Sequence, residues 1–577
     1  MLLRFMRASL LGGAIATAAT ACSDSPTAAK ADTTNNSNNT AASTCTGALS
    51  LSVGQVMAGV SGSSICVSGG TAGAEYALIP FYGTALGSSS TTLDFSETGT
   101  SAASAAPSLI PSSGASFDIS GSSLPLPTSL YHASHAFETA MHERERTTLR
   151  PLIGAARAAQ QRATTSTRAS FDALPSNPVV GQMLRLNANA DSDCTAPDYR
   201  AGRVVAITNS AIIVADTLNP AGGYTDAEYA SFGTTFDTLV DPLDRQAFGD
   251  PSDIDHNGHI VLFFTKAVND LTPTSSTSFI GGFFHARDLF PIKATTDFDA
   301  CPSSNVGEMF YVMVPDPKRG GAFAKANVQG EVLGTLAHEY QHLINASRRM
   351  FVNTAATDFE ETWLNEGLSH IAEELLFYRV SGLAPRQNIT ASTIRSSAAL
   401  VNAFNDYQSD NFGRYGSFLG SPSKYSVYAD NDSLATRGAT WAFLRDAADR
   451  KASSDGTIWF SLVNSTTTGM ANLRNVFGTG VLNQIRDWGT SVLSDDVTGV
   501  DAAYQQPSWN FRSMFAALNN STVFPLSTVS LSTATRSVTL VGGATSYLRF
   551  AVASGGTANV QWSTPPSTVQ FTLVRTK

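Results

Sequence analysis

Two short stretches of this chain carry residue types at spacings that suit metal chemistry. The first, His338-Glu339-Tyr340-Gln341-His342, sets two histidines four residues apart around a glutamate. On a helix, residues i and i+4 stand one turn apart on the same face, so both imidazoles can reach one ion. Leu336, Tyr340 and Leu343 recur at i, i+4 and i+7, which predicts an amphipathic helix there. Glu339 would lie beside the ion rather than on it, where it can take a proton from an activated water and pass it to a leaving amine. Two solvated histidines on a surface helix would satisfy the same pattern, so the second stretch matters. It begins at Phe359 and reads FEETWLNEGLSHIAEELLFY. Leu364, Leu368, Ile371 and Leu375 make its apolar helical stripe, and Glu366, His370 and Glu373 make a polar one. Glu366 follows His342 with 23 residues between, enough for a loop and a helical turn. A carboxylate from this second helix completes a two-histidine, one-glutamate set and leaves the fourth position of zinc to water. Glu373 would orient a ligand histidine or serve structure alone; His370 would do the same or merely cap the polar face.

The pairing of His338-Glu339-Tyr340-Gln341-His342-Leu343-Ile344-Asn345 with Trp363-Leu364-Asn365-Glu366-Gly367-Leu368-Ser369 resembles the hyicolysin-type bacterial metallopeptidases, within the wider gluzincin pattern. Asp253-Ile254-Asp255-His256-Asn257-Gly258, Gly281 to Phe284 and Ser304 to Met309 look like the same family. The resemblance runs from about Asp226 to Asn520. It implies an α+β, zincin-like (thermolysin-like) metallopeptidase domain with Zn2+ on His338, His342 and Glu366, and Glu339 as the catalytic base. Aminopeptidase-like gluzincins often carry a tyrosine three residues before a glycine at the start of a later helix. The similar segment here holds Ala435 at that position and Gly438 at the glycine. The donor for a developing oxyanion therefore stays open among Tyr425, Tyr428 and Arg437.

The elements around these motifs divide the chain. Residues 1–21 read as an export signal, with Arg4 and Arg7 before a short apolar run that ends in Ala19-Thr20-Ala21-Cys22. That end is similar to a bacterial lipobox, with Ala19 where leucine is usual. It implies a lipid on Cys22 and membrane association through it; cleavage after Ala21 and plain secretion is the alternative. Residues 22–44 are a polar tether. Short apolar runs between glycines and serines predict a β-domain at 45–130, a helix and linker at 131–178, and a small β region at 179–225. The metallopeptidase domain spans 226–520, and a small β-sandwich-like module spans 521–577. Cys45, Cys66, Cys194 and Cys301 allow three pairings; Cys45–Cys66 and Cys194–Cys301 are preferred. Asp253-x-Asp255-x-Asn257-Gly258 opens like a calcium loop, but its twelfth position is Phe264, so a polar turn is expected. His132, His135 and His142 are expected on the surface.

With 577 residues, 42% hydrophobic and only 15% charged, the chain is large enough for several folded modules. Its net charge of −10 supplies no basic footprint for nucleic acid. Three functions compete. The first is a zinc peptidase acting on protein or peptide substrates outside the cytoplasm. The second is a zinc aminopeptidase, for which no motif supplies acids to hold a free amine. The third is a catalytically silent, surface-binding lipoprotein, against which the base Glu339 counts, since a structural zinc site needs none. Substrate preference and oligomeric state are not readable.

Overall fold

The computed structural model describes residues 45–104, 132–163, 174–175, 177–273, 279–292, 301–451, 454–519, 524–531 and 534–577. The expected export signal, tether and Cys22 lie outside them, as do most of the linker and the side chains of His132 and His135. The architecture is mixed α+β.

Five strands come first: β1 (Val56–Val60), β2 (Ser64–Ser68), β3 (Ala74–Tyr82), β4 (Ser90–Thr98) and β5 (Thr100–Ser101). The helices α1 (His132–Arg144) and α2 (Ile153–Ala163) follow, then β6 (Met183–Asn187), β7 (Tyr199–Ile207) and β8 (Ala211–Asp216). Next are α3 (Asp226–Thr235), α4 (Asp241–Phe248), β9 (Ile260–Phe264), α5 (Lys266–Asp270), β10 (Gly282–Phe284) and β11 (Met309–Val312). A run of helices succeeds them, of which α6 (Lys325–Ser347), α7 (Thr362–Ser381), α8 (Ala391–Ile394), α9 (Ala398–Tyr407), α10 (Ser409–Leu419) and α11 (Leu434–Asp449) surround the motifs. The chain closes with β12 (Val529–Ser530), β13 (Arg536–Val541), β14 (Leu548–Val552), β15 (Thr557–Trp562) and β16 (Val569–Arg575).

The strands near the two ends of the chain do not form separate modules. One sheet runs β1-β16-β3-β14-β12, and a second runs β13-β4-β15-β2. Their inner faces share one apolar core that includes Val67, Leu78, Phe95, Phe550, Val560 and Phe571. The regions expected at 45–130 and 521–577 thus supply strands to a single sandwich. The physical reason is burial. β3 is buried along nearly its whole length, so it needs partners on both sides, and among the described residues β14 and β16 provide them. The described residues hold together as one compact unit.

The second departure concerns 179–225. Its strands join the central sheet, ordered β10-β11-β9-β8-β7-β6, with β8, β9 and β11 parallel to one another and β10, β7 and β6 antiparallel to their neighbours. β9 reads Ile-Val-Leu-Phe-Phe and is wholly buried, as a central strand covered on both faces should be. Both expected disulfides are present. Cys45–Cys66 tethers the start of the described chain to β2, and Cys194–Cys301 links the loop after β6 to the approach to β11.

The Asp253–Gly258 stretch is a tight turn into β9. His256 and Gly258 take positive φ, the Gly258 amide donates to Asp253, and the Asn257 amide donates to Asp255. The fold also brings Glu308 there, with one oxygen from each of Asp253, Asp255 and Glu308 within 4.8 Å of the others. Burial and the nearby Glu308 charge push Asp255 up to about 8, and burial pushes Glu308 up to about 7. Folded values above the ordinary carboxylate value mean that the native state keeps protons the unfolded chain releases. This stabilising contribution is complete below about pH 4 and is lost as pH rises through about 7 to 8. Thermal melts between pH 5 and 8.5 should therefore fall in midpoint, and Asp255→Asn should flatten that fall. An unchanged slope in the variant defeats the assignment.

Candidate metal centre

The rotation of α6 is set by its apolar face. Leu336, Tyr340 and Leu343 are fully buried, and the Tyr340 ring packs against Phe236 and Phe310 with centroids 5.1 and 6.5 Å away. The Tyr340 hydroxyl donates to Asp241 at 2.6 Å, which fixes the helix against α4. With that face committed to the sheet, His338 and His342 face α7. On α7 the stripe Leu364, Leu368 and Ile371 is buried, and Glu366 lies on the side facing the histidines. Gly367 lets α11 come close: a Cβ there would sit 2.4 Å from the Thr440 methyl. Gly438 does the same between α11 and α10, where a Cβ would lie 2.3 Å from the Arg414 carbonyl carbon. These two close crossings bring Arg437 and Arg414 to the centre.

The two Nε2 atoms of His338 and His342 lie 3.1 Å apart. Glu366 Oε2 is 3.6 Å from His338 Nε2, and Glu366 Oε1 is 3.6 Å from His342 Nε2. Other groups engage the Nδ1 atoms: His338 Nδ1 is 2.8 Å from Glu373 Oε1, and His342 Nδ1 is 3.1 Å from the Ser369 hydroxyl. Protons on both Nδ1 atoms leave two Nε2 lone pairs facing each other, an arrangement that a shared cation makes favourable. A proton can take the place of such a cation. Burial lowers His338, but its bonds to Glu366 and Glu373 outweigh that and push it up to about 10. His342, buried and beside His338, is held well below its usual value. One positive charge is thus drawn into the space between the side chains, where a divalent ion can substitute for it. Two imidazole nitrogens and one carboxylate are the donor set of an open zinc site.

Glu339 lies next to the trio. Its Oε2 accepts a 2.8 Å hydrogen bond from the Phe284 amide of β10, the edge strand of the sheet. Burial raises its pKa to about 7, aided by the Glu138 and Glu366 charges and opposed by His338. A carboxyl group near 7 can both take and return a proton at neutral pH.

The surrounding residues differ from the sequence expectations in several respects. His370 is fully buried, 3.3 Å from Glu373 and with its ring 5.0 Å from that of His338; it caps no exposed face. Glu373 bridges His338 and His370 on one oxygen and accepts from Arg414 on the other at 3.2 Å. His142 is not a surface residue. Its Nε2 lies 2.8 Å from Glu366 Oε1, and its side chain is only 9% exposed. Of the three candidate oxyanion donors, Arg437 is at the centre, with Nη1 donating to Glu366 Oε2 at 2.8 Å, and it also engages Glu138 and Asp432. The Tyr428 hydroxyl instead donates to the Thr84 carbonyl, next to the sandwich. Glu138 and His142 have no motif around them, so spacing could not point to them. Their register on α1 carries the signal: i and i+4 put both on one helix face.

Two cavities flank the trio. One of about 590 Å³ is lined by Gly281, Gly282, Glu331, His338, Asp406 and Asp410; the other, of about 690 Å³, is lined by Phe284, Ala286, His342, Trp363 and Asn365.

Over 151 residues, 26% of this chain and 31% of the relative, the sequence is 34% identical to the neutral metalloprotease ShpI of Staphylococcus hyicus. The match spans under a third of that protein's own length. No family profile matches the chain. The chain is therefore similar over part of its length to a metalloprotease, and it brings together two histidines and a glutamate able to hold a metal.

The helix crossing at Gly438 gives a test of this geometry. Glycine to alanine inside an open helix gains up to about 1 kcal/mol. Here the added methyl meets backbone, so Gly438→Ala should instead lose about 1–3 kcal/mol in urea unfolding. A stabilised variant would mean that the helices stand further apart.

Proposed function

We propose that the chain is a zinc-dependent peptidase that hydrolyses peptide bonds of proteins outside the cytoplasm. The observation that carries this reading is the convergence of His338 and His342 from α6 with Glu366 from α7, with Glu339 tied to the edge strand beside them. In it His338, His342 and Glu366 are the metal ligands and Glu339 is the general base. A divalent ion held there supplies Lewis acidity toward water and the scissile carbonyl. Glu339 takes the proton of the attacking water and delivers it to the amine that leaves. The Phe284 amide keeps that carboxylate aimed, and β10 offers an extended substrate an edge to pair with. Glu373 orients His338, with Arg414 holding Glu373. Arg437 holds Glu366 in place and is the side chain best situated to share oxyanion charge.

Two disulfides support action in an oxidising compartment. The export signal and the lipid on Cys22 expected from the sequence belong to the same reading, and among the described residues no helix is long and apolar enough to cross a membrane. The aminopeptidase reading gains one observation that the sequence had not suggested. Glu331, Asp406 and Asp410 line the cavity beside His338, and burial together with the two aspartates pushes Glu331 up to about 9. Such carboxylates suit a substrate ammonium group.

The purified chain should cleave a labelled protein and lose that activity to a chelator. Glu339→Gln should keep one equivalent of zinc while kcat falls about 10²–10⁴-fold. Equal cleavage by this variant and wild type rules out the mechanism. Glu373→Gln should bind zinc about 10–100-fold more weakly in a metal-buffer titration. Amino-terminal acetylation separates the two peptidase readings: an endopeptidase cleaves acetylated and free peptides alike, whereas an aminopeptidase spares the acetylated one.

A further inference from the structure

We propose that α1 is an intramolecular occupant of the substrate groove, so that the chain as it stands is closed and hydrolysis requires α1 to move out. This rests on the peptidase reading above for the identity of the groove. The two cavities that flank the metal trio lie along the same stretch of chain, one beside Gly281 and Gly282 and the other beside Phe284 and Ala286. That stretch contains the edge strand β10, which a substrate backbone would pair with. Both cavities are also lined by α1: Glu138 faces the first, and Thr139, His142 and Glu143 face the second. The helix therefore sits where the two halves meet, over the metal trio.

Its contacts are with the machinery itself. His142 bonds the ligand carboxylate Glu366, Glu138 pairs with Arg437, Thr139 donates to Asp432, and the Phe137 ring stacks edge-on against Phe283 of β10 at 5.7 Å. Each takes up a group that the proposed reaction needs free or that neighbours one that does. His142 and Glu138 thus stand against Glu366 and Arg437 where the two cavities meet.

The way α1 is held suggests that it can leave without unfolding the rest. Of its described side chains only Met141 is fully buried. α2, by contrast, buries Ile153, Ala156 and Ala159, and its Arg157 donates to the carbonyls of Arg349, Met350, Thr354 and Ala356. Between them the regular helical ladder is interrupted. Residues Glu145–Leu149 form a π-helical turn and Arg150–Leu152 a 3-10 turn containing Pro151. Such breaks are where a helix bends. α2 is the anchor and 145–152 the pivot.

The test uses the full chain and a fluorescent peptide hydroxamate as a probe of the groove. Hydrogen exchange followed by mass spectrometry should show α1 amides exchanging at least fivefold faster when the probe is bound, with α2 unchanged. A Glu138→Ala/His142→Ala double variant should bind the probe at least tenfold more tightly by anisotropy. Thr139→Ala should shift affinity in the same direction by a smaller factor, which keeps the test valid if the double variant folds poorly. Probe binding that leaves α1 protection unchanged or raises it, with equal affinity in all variants, overturns the proposal. Probe binding with α1 released but no hydrolysis of any peptide retires the peptidase reading and leaves the occupied groove standing. Hydrolysis with α1 protected throughout does the reverse.

Discussion

The arrangement depends on one buried charge, the carboxylate of Glu366. It is 1% exposed and sits between the His338 and His342 imidazoles on one side and the Arg437 guanidinium on the other. A buried carboxylate without partners would take up a proton. Here Arg437 and the histidines outweigh the cost of burial and hold it well below the usual carboxylate range. Removing one partner of such a pair leaves a lone charge in the interior, at a cost of about 3–5 kcal/mol. Much of the surrounding structure reads as the means of keeping those partners in place.

That requirement explains the helix packing. Arg437 reaches Glu366 only because α11 lies almost against α7 at Gly367 and against α10 at Gly438. Asp432 in turn grips the Arg437 guanidinium at the start of α11, so the cation cannot swing away. On the other side Arg414 of α10 holds Glu373, which holds His338. Two arginines thus brace two acids, and the two acids aim or accompany two imidazoles. The same logic accounts for α1, whose His142 and Glu138 add a further donor and acceptor to an already charged network.

The strands do the coarser positioning. β11 lies under α6, with Phe310 against Tyr340, and β10 at the edge brings a backbone amide to Glu339. The sandwich, built from both ends of the chain, packs against the helical part through contacts such as Tyr428 with Thr84 and Tyr547 with Gly489. Without the first hundred residues the last fifty would leave β14 and β16 with open edges, a condition that invites aggregation.

Spacing alone could propose His338, Glu339, His342 and Glu366, because residues four apart on a helix share a face whatever the rest of the chain does. It could predict the two helices from their apolar stripes, since those are local patterns. It could not find Arg437's partner, the burial of His370, the carboxylates near His338, or Glu308 beside Asp253 and Asp255, because each pairs residues tens of positions apart whose neighbourhood no local periodicity encodes. Nor could it show that β3 would lie between β14 and β16, or that His142 would turn inward to Glu366. Those outcomes depend on which surfaces must be buried together and which charges must be compensated once they are, and only the folded chain brings those surfaces and charges into contact.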